Sequence, residues 1–126
     1  MSRLLLIEDR ESLLRSLKTL LELEGYKVFT ATTQESVEEI LERKAIDLVL
    51  LDVNFHIDDG KQIKGYEILE TIRRTPEWHD IRVLMTSGED FRDQALQAGA
   101  DGFLLKPYLP EKLVNLVQLN LEENEK

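Results

Sequence analysis

The stretch RLLLIED, residues 3–9, joins four large apolar side chains to two adjacent carboxylates, Glu8 and Asp9. A run that is apolar at nearly every position is typical of a strand in a parallel sheet whose two faces are both covered by helices. Four further short apolar runs follow along the chain: KVFTA (27–31), DLVLL (47–51), RVLMT (82–86) and GFLLK (102–106). The sequence therefore predicts five strands.

Helical patterns lie between these runs. Leucines recur at helical spacing from Arg10 to Glu24, and Gly25 follows as a stop. Thr33 or Thr32 can cap a second helix that extends to about Lys44. Further helices are predicted at 65–74, at about 90–98 and from Pro110 onward. This alternation predicts a doubly wound α/β fold with right-handed crossovers.

Length and composition fit a single domain over residues 1–126. The chain is 42% hydrophobic and 33% charged, carries a formal net charge of −9 and contains no cysteine. No apolar stretch approaches the roughly 20 residues of a membrane span, so we expect a cytoplasmic protein without a membrane partner. The acidic balance argues against direct nucleic-acid binding and favours cations or basic proteins as partners.

Polar residues follow the predicted strands at one edge of the sheet. Glu8 and Asp9 follow the first strand, Asp52 ends the third, Ser87 follows the fourth and Lys106 closes the fifth. Ligands of open α/β sheets bind beyond the carboxyl ends of the strands, and the strand order 2-1-3-4-5 places the first and third strands side by side. Three carboxylates then converge and need a cation. Mg²⁺, a hard ion that prefers oxygen ligands, suits them, and Lys106 adds a fixed positive charge.

This set of residues suits phosphoryl transfer. Asp52 can attack phosphorus as a carboxylate nucleophile and form an aspartyl phosphate. Magnesium, Lys106 and the Ser87 hydroxyl would neutralise or hydrogen-bond the phosphoryl oxygens, because this chemistry depends mainly on positioning and charge stabilisation. Gly88 leaves its backbone open to close approach.

The motifs ED after the first strand, LLDVN at the third, TSGE at the fourth and AGADGFLLKPY through the fifth resemble those of response-regulator receiver domains. The resemblance covers essentially the whole chain. It implies a flavodoxin-like fold with phosphorylation at Asp52 and Mg²⁺ held by Glu8 and Asp9, directly or through water. It further implies that Asn54 offers its backbone carbonyl to the metal, and that the Asn54 side chain and Glu89 tune the lifetime of the phosphoryl group.

The resemblance also implies the switch residues. Ser87 matches the switch hydroxyl, with Thr86 as the alternative, and Phe103 matches the aromatic residue that turns inward when the hydroxyl moves toward the phosphate. Phe103 could equally be an ordinary half-buried strand residue. The Lys106–Pro107 peptide bond is similar to one that the family usually holds cis.

Two departures from the family pattern stand out. The loop VNFHIDDGKQIKG, residues 53–65, is about five residues longer than the usual connection and lacks its proline. His56, Asp58 and Asp59 within it could mimic a metal cluster, but a mobile acidic loop is the simpler interpretation. The stretch from Ser87 to Lys106 is shorter than usual, which predicts a short fourth helix.

The resemblance predicts a phosphorylation-dependent switch and not an enzyme acting on other substrates. A histidine kinase or phosphotransfer protein would donate the phosphoryl group, and helix 4, strand 5 and helix 5 would present the change to a downstream protein, a covalent output domain or a second copy. A pseudo-receiver that never takes phosphate is the first alternative, although no acid and no lysine of the site is lost. A magnesium-dependent phosphatase or small-molecule phosphotransferase is the second, but such enzymes usually carry a second catalytic aspartate two residues after the nucleophile, where this chain has Asn54.

Overall fold

A computed structural model of the chain describes residues 1–54 and 65–125, and in this part strands and helices alternate throughout. The elements are β1 (Arg3–Ile7), α1 (Glu11–Leu23), β2 (Lys27–Ala31), α2 (Gln34–Arg43), β3 (Leu48–Asp52), α3 (Gly65–Arg74), β4 (Arg82–Ser87), α4 (Arg92–Gln97), β5 (Gly102–Leu105) and α5 (Pro110–Glu125). All the predicted strands and helices are present. No described helix is both long enough and apolar enough to cross a membrane.

The five strands form one parallel sheet in the order β2-β1-β3-β4-β5, which confirms the predicted order. The register places Ile7 opposite Leu51 and Asp52 opposite Thr86. Because all strands run in the same direction, their carboxyl ends meet at a single edge. This edge, called the carboxyl edge below, carries the residues predicted to act.

The sheet is covered by helices on both faces. Side chains alternate along each strand, so Leu5 and Ile7 of β1 pack with α2, α3 and α4, whereas Leu4 and Leu6 pack with α1 and α5. All four side chains are at most 1% exposed. Two buried faces explain why the strands read as continuous apolar runs.

Local signals in the sequence set several helix ends. Thr33 caps α2 through a reciprocal pair of hydrogen bonds with Ser36, which resolves the choice between Thr32 and Thr33. Gly25 follows α1 with φ of +97°, a left-handed conformation that favours glycine. Helix α4 has only six residues, so the prediction of a short fourth helix is confirmed.

Candidate phosphoacceptor site

Three carboxylates meet at the carboxyl edge. Glu8 and Asp9 follow β1, Asp52 is the last residue of β3, and each offers a carboxylate oxygen within 4.8 Å of the other two. Glu8 and Asp52 are buried, with 4% and 6% exposure, whereas Asp9 is exposed. Within the described residues this is the one group of three or more His, Cys, Asp or Glu residues that could hold a metal ion. Carboxylate oxygens at the mouth of a cleft fit Mg²⁺, a hard ion that retains some of its waters.

The alternation of the strands aims the buried members of this group inward. Leu48 and Leu50 face α1 and α5, and Asp52 continues the same side of β3. Thr86, opposite Asp52 on β4, lines a small internal cavity with Asp52 and Glu8. The site is therefore an extension of one core face at the point where apolar side chains give way to acids.

Lys106 directly follows β5, the edge strand of the sheet, and its side chain brings a positive charge to the acids. Its ammonium Nζ donates to Asp52 Oδ2 at 3.1 Å and to Glu8 Oε1 at 3.3 Å. The Lys106 backbone N–H donates to the carbonyl of Ser87, which ties the end of β5 to the end of β4. The Lys106–Pro107 peptide bond is cis, as the resemblance implies. One ammonium thus contacts two buried carboxylates; Glu8 has a second, exposed cation in Arg10, whose Nε lies 3.6 Å from Glu8 Oε2, whereas Lys106 is the ion-pair partner that the described residues give Asp52.

The pKa values of the adjacent carboxylates Glu8 and Asp9 are shifted in opposite directions. Burial alone would raise the pKa of Glu8, but the Arg10 backbone N–H, which donates to Glu8 Oε2 at 3.0 Å, together with Asp9 and Lys106, holds that pKa below its usual value. Partial desolvation of its carboxylate beside the site raises the pKa of Asp9, although the residue as a whole is exposed, and the hydrogen bond and negative charge of Glu8 and the charge of Asp52 raise it further. Asp9 therefore carries the uncompensated repulsion that a bound cation would relieve.

Asn54 and Ser87 connect the acidic group to β4. The Asn54 backbone N–H donates to Asp52 Oδ1 at 2.9 Å, and its side-chain amide donates to Ser87 Oγ at 3.4 Å. The Ser87 hydroxyl oxygen also accepts from the backbone N–H of Glu89 at 3.1 Å. Ser87 is fully buried, so these hydrogen bonds replace water for its side chain. The contacts link Asp52 to the start of the β4–α4 connection through Asn54.

Phe103 lies on the opposite face of the sheet from Lys106. It pairs with Met85 in the register of β4 and β5, is 3% exposed, and belongs to the core cluster packed by α2, α3 and α4. The structure thus places Phe103 inward and fully buried, so it is not a half-buried strand residue.

The sequence reading missed Tyr108. This residue, with Leu13 and Leu17 of α1, lines an open groove of about 920 Å³ that reaches Asp52. Burial, followed by the charges of Glu8 and Asp52, raises the pKa of Tyr108 to about 12. The phenol therefore stays neutral at physiological pH. An aromatic residue after Lys-Pro was visible in the sequence, but its contact with the acids depends on long-range packing.

His56, Asp58 and Asp59 lie outside the residues that the structure describes, as does most of the long 53–65 connection. At the end of that connection, a Cβ on Gly65 would lie 2.7 Å from the carbonyl oxygens of Asp52 and Val53. Such a contact leaves room only for glycine, so α3 starts in direct contact with the backbone of the site.

The family model of the response regulator receiver domain matches residues 4–118. The chain therefore belongs to this family, the signalling modules of two-component response regulators. It is 34% identical over 112 residues to the alginate biosynthesis transcriptional regulatory protein AlgB of Pseudomonas aeruginosa, covering 88% of this chain and 24% of AlgB. It is 32% identical over 124 residues to the transcriptional regulatory protein CpxR of Escherichia coli, covering 98% of this chain and 51% of CpxR. The chain thus spans about a quarter to a half of these relatives.

Solved structures confirm the flavodoxin-like receiver fold. A CheY-like response regulator receiver domain protein from Methanospirillum hungatei has a TM-score of 0.85 at 28% identity, with 99% of this chain and 97% of that chain covered.

Proposed function

We propose that this receiver domain accepts a phosphoryl group on Asp52 and uses the modification to switch protein–protein contacts. The observation that carries the proposal is the position of Asp52, which shares a 4.8 Å cluster with Glu8 and Asp9 and a 3.1 Å contact with Lys106. In a pseudo-receiver, which never takes a phosphoryl group, the repulsion among three converging carboxylates would serve no binding step. A phosphoacceptor site needs them, because they bind the cation that neutralises the phosphoryl oxygens.

In the transfer, a carboxylate oxygen of Asp52 attacks phosphorus. The new O–P bond forms as the bond from phosphorus to the donor breaks, and the donor atom, such as a histidine ring nitrogen, keeps the electron pair. Glu8, Asp9, Asp52 and the Asn54 carbonyl would hold Mg²⁺, which supplies positive charge to the phosphoryl oxygens when it is bound. Lys106 would exchange one carboxylate contact for a phosphoryl oxygen and thereby stabilise the product charge.

Ser87 and Phe103 would carry the change away from Asp52. The Ser87 hydroxyl, which accepts from Asn54 at 3.4 Å, would reorient to donate a hydrogen bond to the phosphoryl group. Thr86 is the weaker candidate, because its side chain faces the α1–α5 side of the sheet with Glu8 and the structure records no bond from it to Asn54. Asn54 and Glu89 flank the hydroxyl and are placed to tune the lifetime of the phosphoryl group.

The groove beside Asp52 supports a protein phosphodonor. Its apolar wall comes from Leu13, Leu17 and Leu20 of α1 and from Tyr108, and it opens directly onto Asp52. A histidine kinase or phosphotransfer protein could place an apolar helix face there while its phosphohistidine reaches the carboxylate. Output would pass in the cytoplasm to a downstream protein, a covalent output domain or a second copy of the chain.

Labelling with a small phosphodonor tests the proposal. We expect acetyl phosphate with Mg²⁺ to add the mass of one phosphoryl group to the wild type, and no mass to Asp52→Asn. Asp80→Asn, at an exposed aspartate far from the site, is the matched control and should be labelled like the wild type. Labelling that persists in Asp52→Asn would move the acceptor elsewhere, and a folded wild type that takes no label would favour the pseudo-receiver.

A further inference from the structure

Arg92 covers the ring of Phe103. It is the first residue of α4, and its guanidinium carbon lies 5.7 Å from the ring centroid. A guanidinium within about 6 Å of an aromatic centroid is attracted by the negative face of the ring. Among residues 1–54 and 65–125, the structure records no ion pair or side-chain hydrogen bond for this guanidinium. The aromatic ring is therefore its recorded partner in that part of the chain.

The surroundings of Phe103 make this contact consequential. The ring is buried in the same core cluster as Met85, its register partner on β4, and Ala95 of α4. Helix α4 has only six residues; its N-cap residue, Phe91, makes no side-chain cap, and the Arg92 backbone N–H donates to Asp90 Oδ1 at 3.2 Å. Because a helix this short is not stable on its own, its position depends on its packing against β5, and the Arg92–Phe103 contact adds to that packing at the first residue of the helix.

We propose that Arg92 is a positioning residue that holds Phe103 inward and so latches the start of α4 onto β5. The latch follows from the contact between the two side chains. Its regulatory meaning rests on the proposed function, in which Phe103 reports the state of Asp52. Arg92 then biases the unphosphorylated domain toward the arrangement with Phe103 inward. Phosphorylation therefore produces a smaller further change in the population of that arrangement.

Met85 provides a site-specific probe of the ring. The sequence has two methionines, of which Met1 is 92% exposed and Met85 fully buried. Methyl-labelled methionine therefore gives two well-separated NMR signals, and the buried methyl senses the ring current of Phe103. Phe103→Leu gives the position of that signal without the ring.

Substitution of Arg92 is expected to move the Met85 signal toward its position in Phe103→Leu. Loss of an exposed cation–π contact in Arg92→Ala should lower the ratio of inward to outward Phe103 about two- to five-fold. Arg92→Lys should move the signal less, because lysine keeps the charge without the planar stacking group. Arg43→Ala makes the same charge change at an exposed helical arginine paired with Glu39 and should leave the signal in place.

A second arm couples the latch to Asp52. Beryllofluoride with Mg²⁺, a mimic of the phosphoryl group, should return the Met85 signal of Arg92→Ala toward the wild-type position and move the wild type little. A Met85 signal that is identical in Arg92→Ala and wild type would overturn the latch, and so would a Phe103→Leu signal at the wild-type position. If Arg92→Ala shifts the signal but beryllofluoride acts on no variant, the latch stands and the proposed phosphoacceptor function fails.

Discussion

Clusters of carboxylates and cations lie at both edges of the sheet, and they differ in how well their charges are matched. At the carboxyl edge, three carboxylates, those of Glu8, Asp9 and Asp52, face two cations: the Lys106 ammonium contacts Asp52 and Glu8, and the exposed Arg10 guanidinium lies 3.6 Å from Glu8. At the opposite edge the proportions are reversed, because one carboxylate, that of Asp101, lies between two guanidiniums.

The opposite edge is closed by its own hydrogen bonds. Arg73 donates to the Gly99 carbonyl at 2.8 Å, to the Ile81 carbonyl at 2.6 Å and to Asp101 Oδ2 at 2.8 Å. Arg82 donates to Asp101 Oδ1 at 3.3 Å, although its buried Nε finds no hydrogen-bond partner within residues 1–54 and 65–125. These contacts join the end of α3 to the turns before β4 and β5. The cluster holds segments together and leaves no carboxylate uncompensated.

The contrast separates a structural ion cluster from one built to receive a ligand. Where protein donors meet every acceptor, as around Asp101, a further ion gains nothing. Where acids outnumber cations, as around Asp52, the folded protein carries repulsion that only a bound ligand removes. A surplus of carboxylates that protein donors do not meet, at a cleft, is therefore a more useful indicator of function than the presence of ion pairs.

Lys106→Met should have the largest effect on chemistry. Removal of a preorganised charge that stabilises the transferring group costs about 10²- to 10³-fold in rate, and we expect that loss in labelling by acetyl phosphate. Lys106→Arg keeps the positive charge but places it on a larger, planar guanidinium, so it should retain part of the labelling rate. Lys112→Met, at an exposed lysine of α5, controls for the charge change. A Lys106→Met rate within a few-fold of the wild type would mean that the ammonium serves only the fold.

Arg73→Met should lower the stability of the fold and leave the labelling chemistry unchanged. It removes the donor to the part-buried carbonyls of Gly99 and Ile81 and one of the partners of Asp101, which keeps Arg82 and the Val83 N–H. Unmet acceptors cost about 1–3 kcal/mol each when buried, so we expect a loss of about 2 kcal/mol in the free energy of unfolding. Labelling of the folded fraction should be unchanged. Urea denaturation measures the first quantity and mass spectrometry the second. Arg74→Met, at a neighbour with 69% exposure, should change stability by less than about 0.5 kcal/mol.

The parts that could be predicted from the sequence are those written in local patterns. Continuous apolar runs gave both the parallel sheet and its two covered faces, and the placement of Glu8 and Asp52 followed from the rule that strand ends share an edge. The same rule brought Lys106 to the acids, although not the atoms that it contacts on Glu8, 98 residues away. The contact of Arg73 with Asp101, which spans 28 residues, did not follow. Such pairs depend on register and rotamer, which neither spacing nor composition encodes.

Asp9→Asn tests the surplus charge itself through the pH dependence of stability. The raised pKa of Asp9 means that its ionised form is disfavoured on folding, so its penalty is absent below the ordinary value of 3.8 and develops as pH rises through the higher folded value. Without Mg²⁺, Asp9→Asn should therefore melt at a higher temperature than the wild type at pH 7, and the gap should close on acidification. Glu8 behaves oppositely, since its stabilising ionisation is lost as pH falls below 4.5.

Magnesium should invert this order of melting temperatures. An ion at 100 times its dissociation constant stabilises the folded state by about 2.7 kcal/mol, a gain that the wild type should receive and Asp9→Asn should largely lose. Thermal melts with Mg²⁺ and with EDTA, from pH 4 to pH 7, would show the crossing. If Asp9→Asn were the less stable protein in EDTA at pH 7, Asp9 would be a satisfied structural acid like Asp101, and the distinction between the two edges would fail.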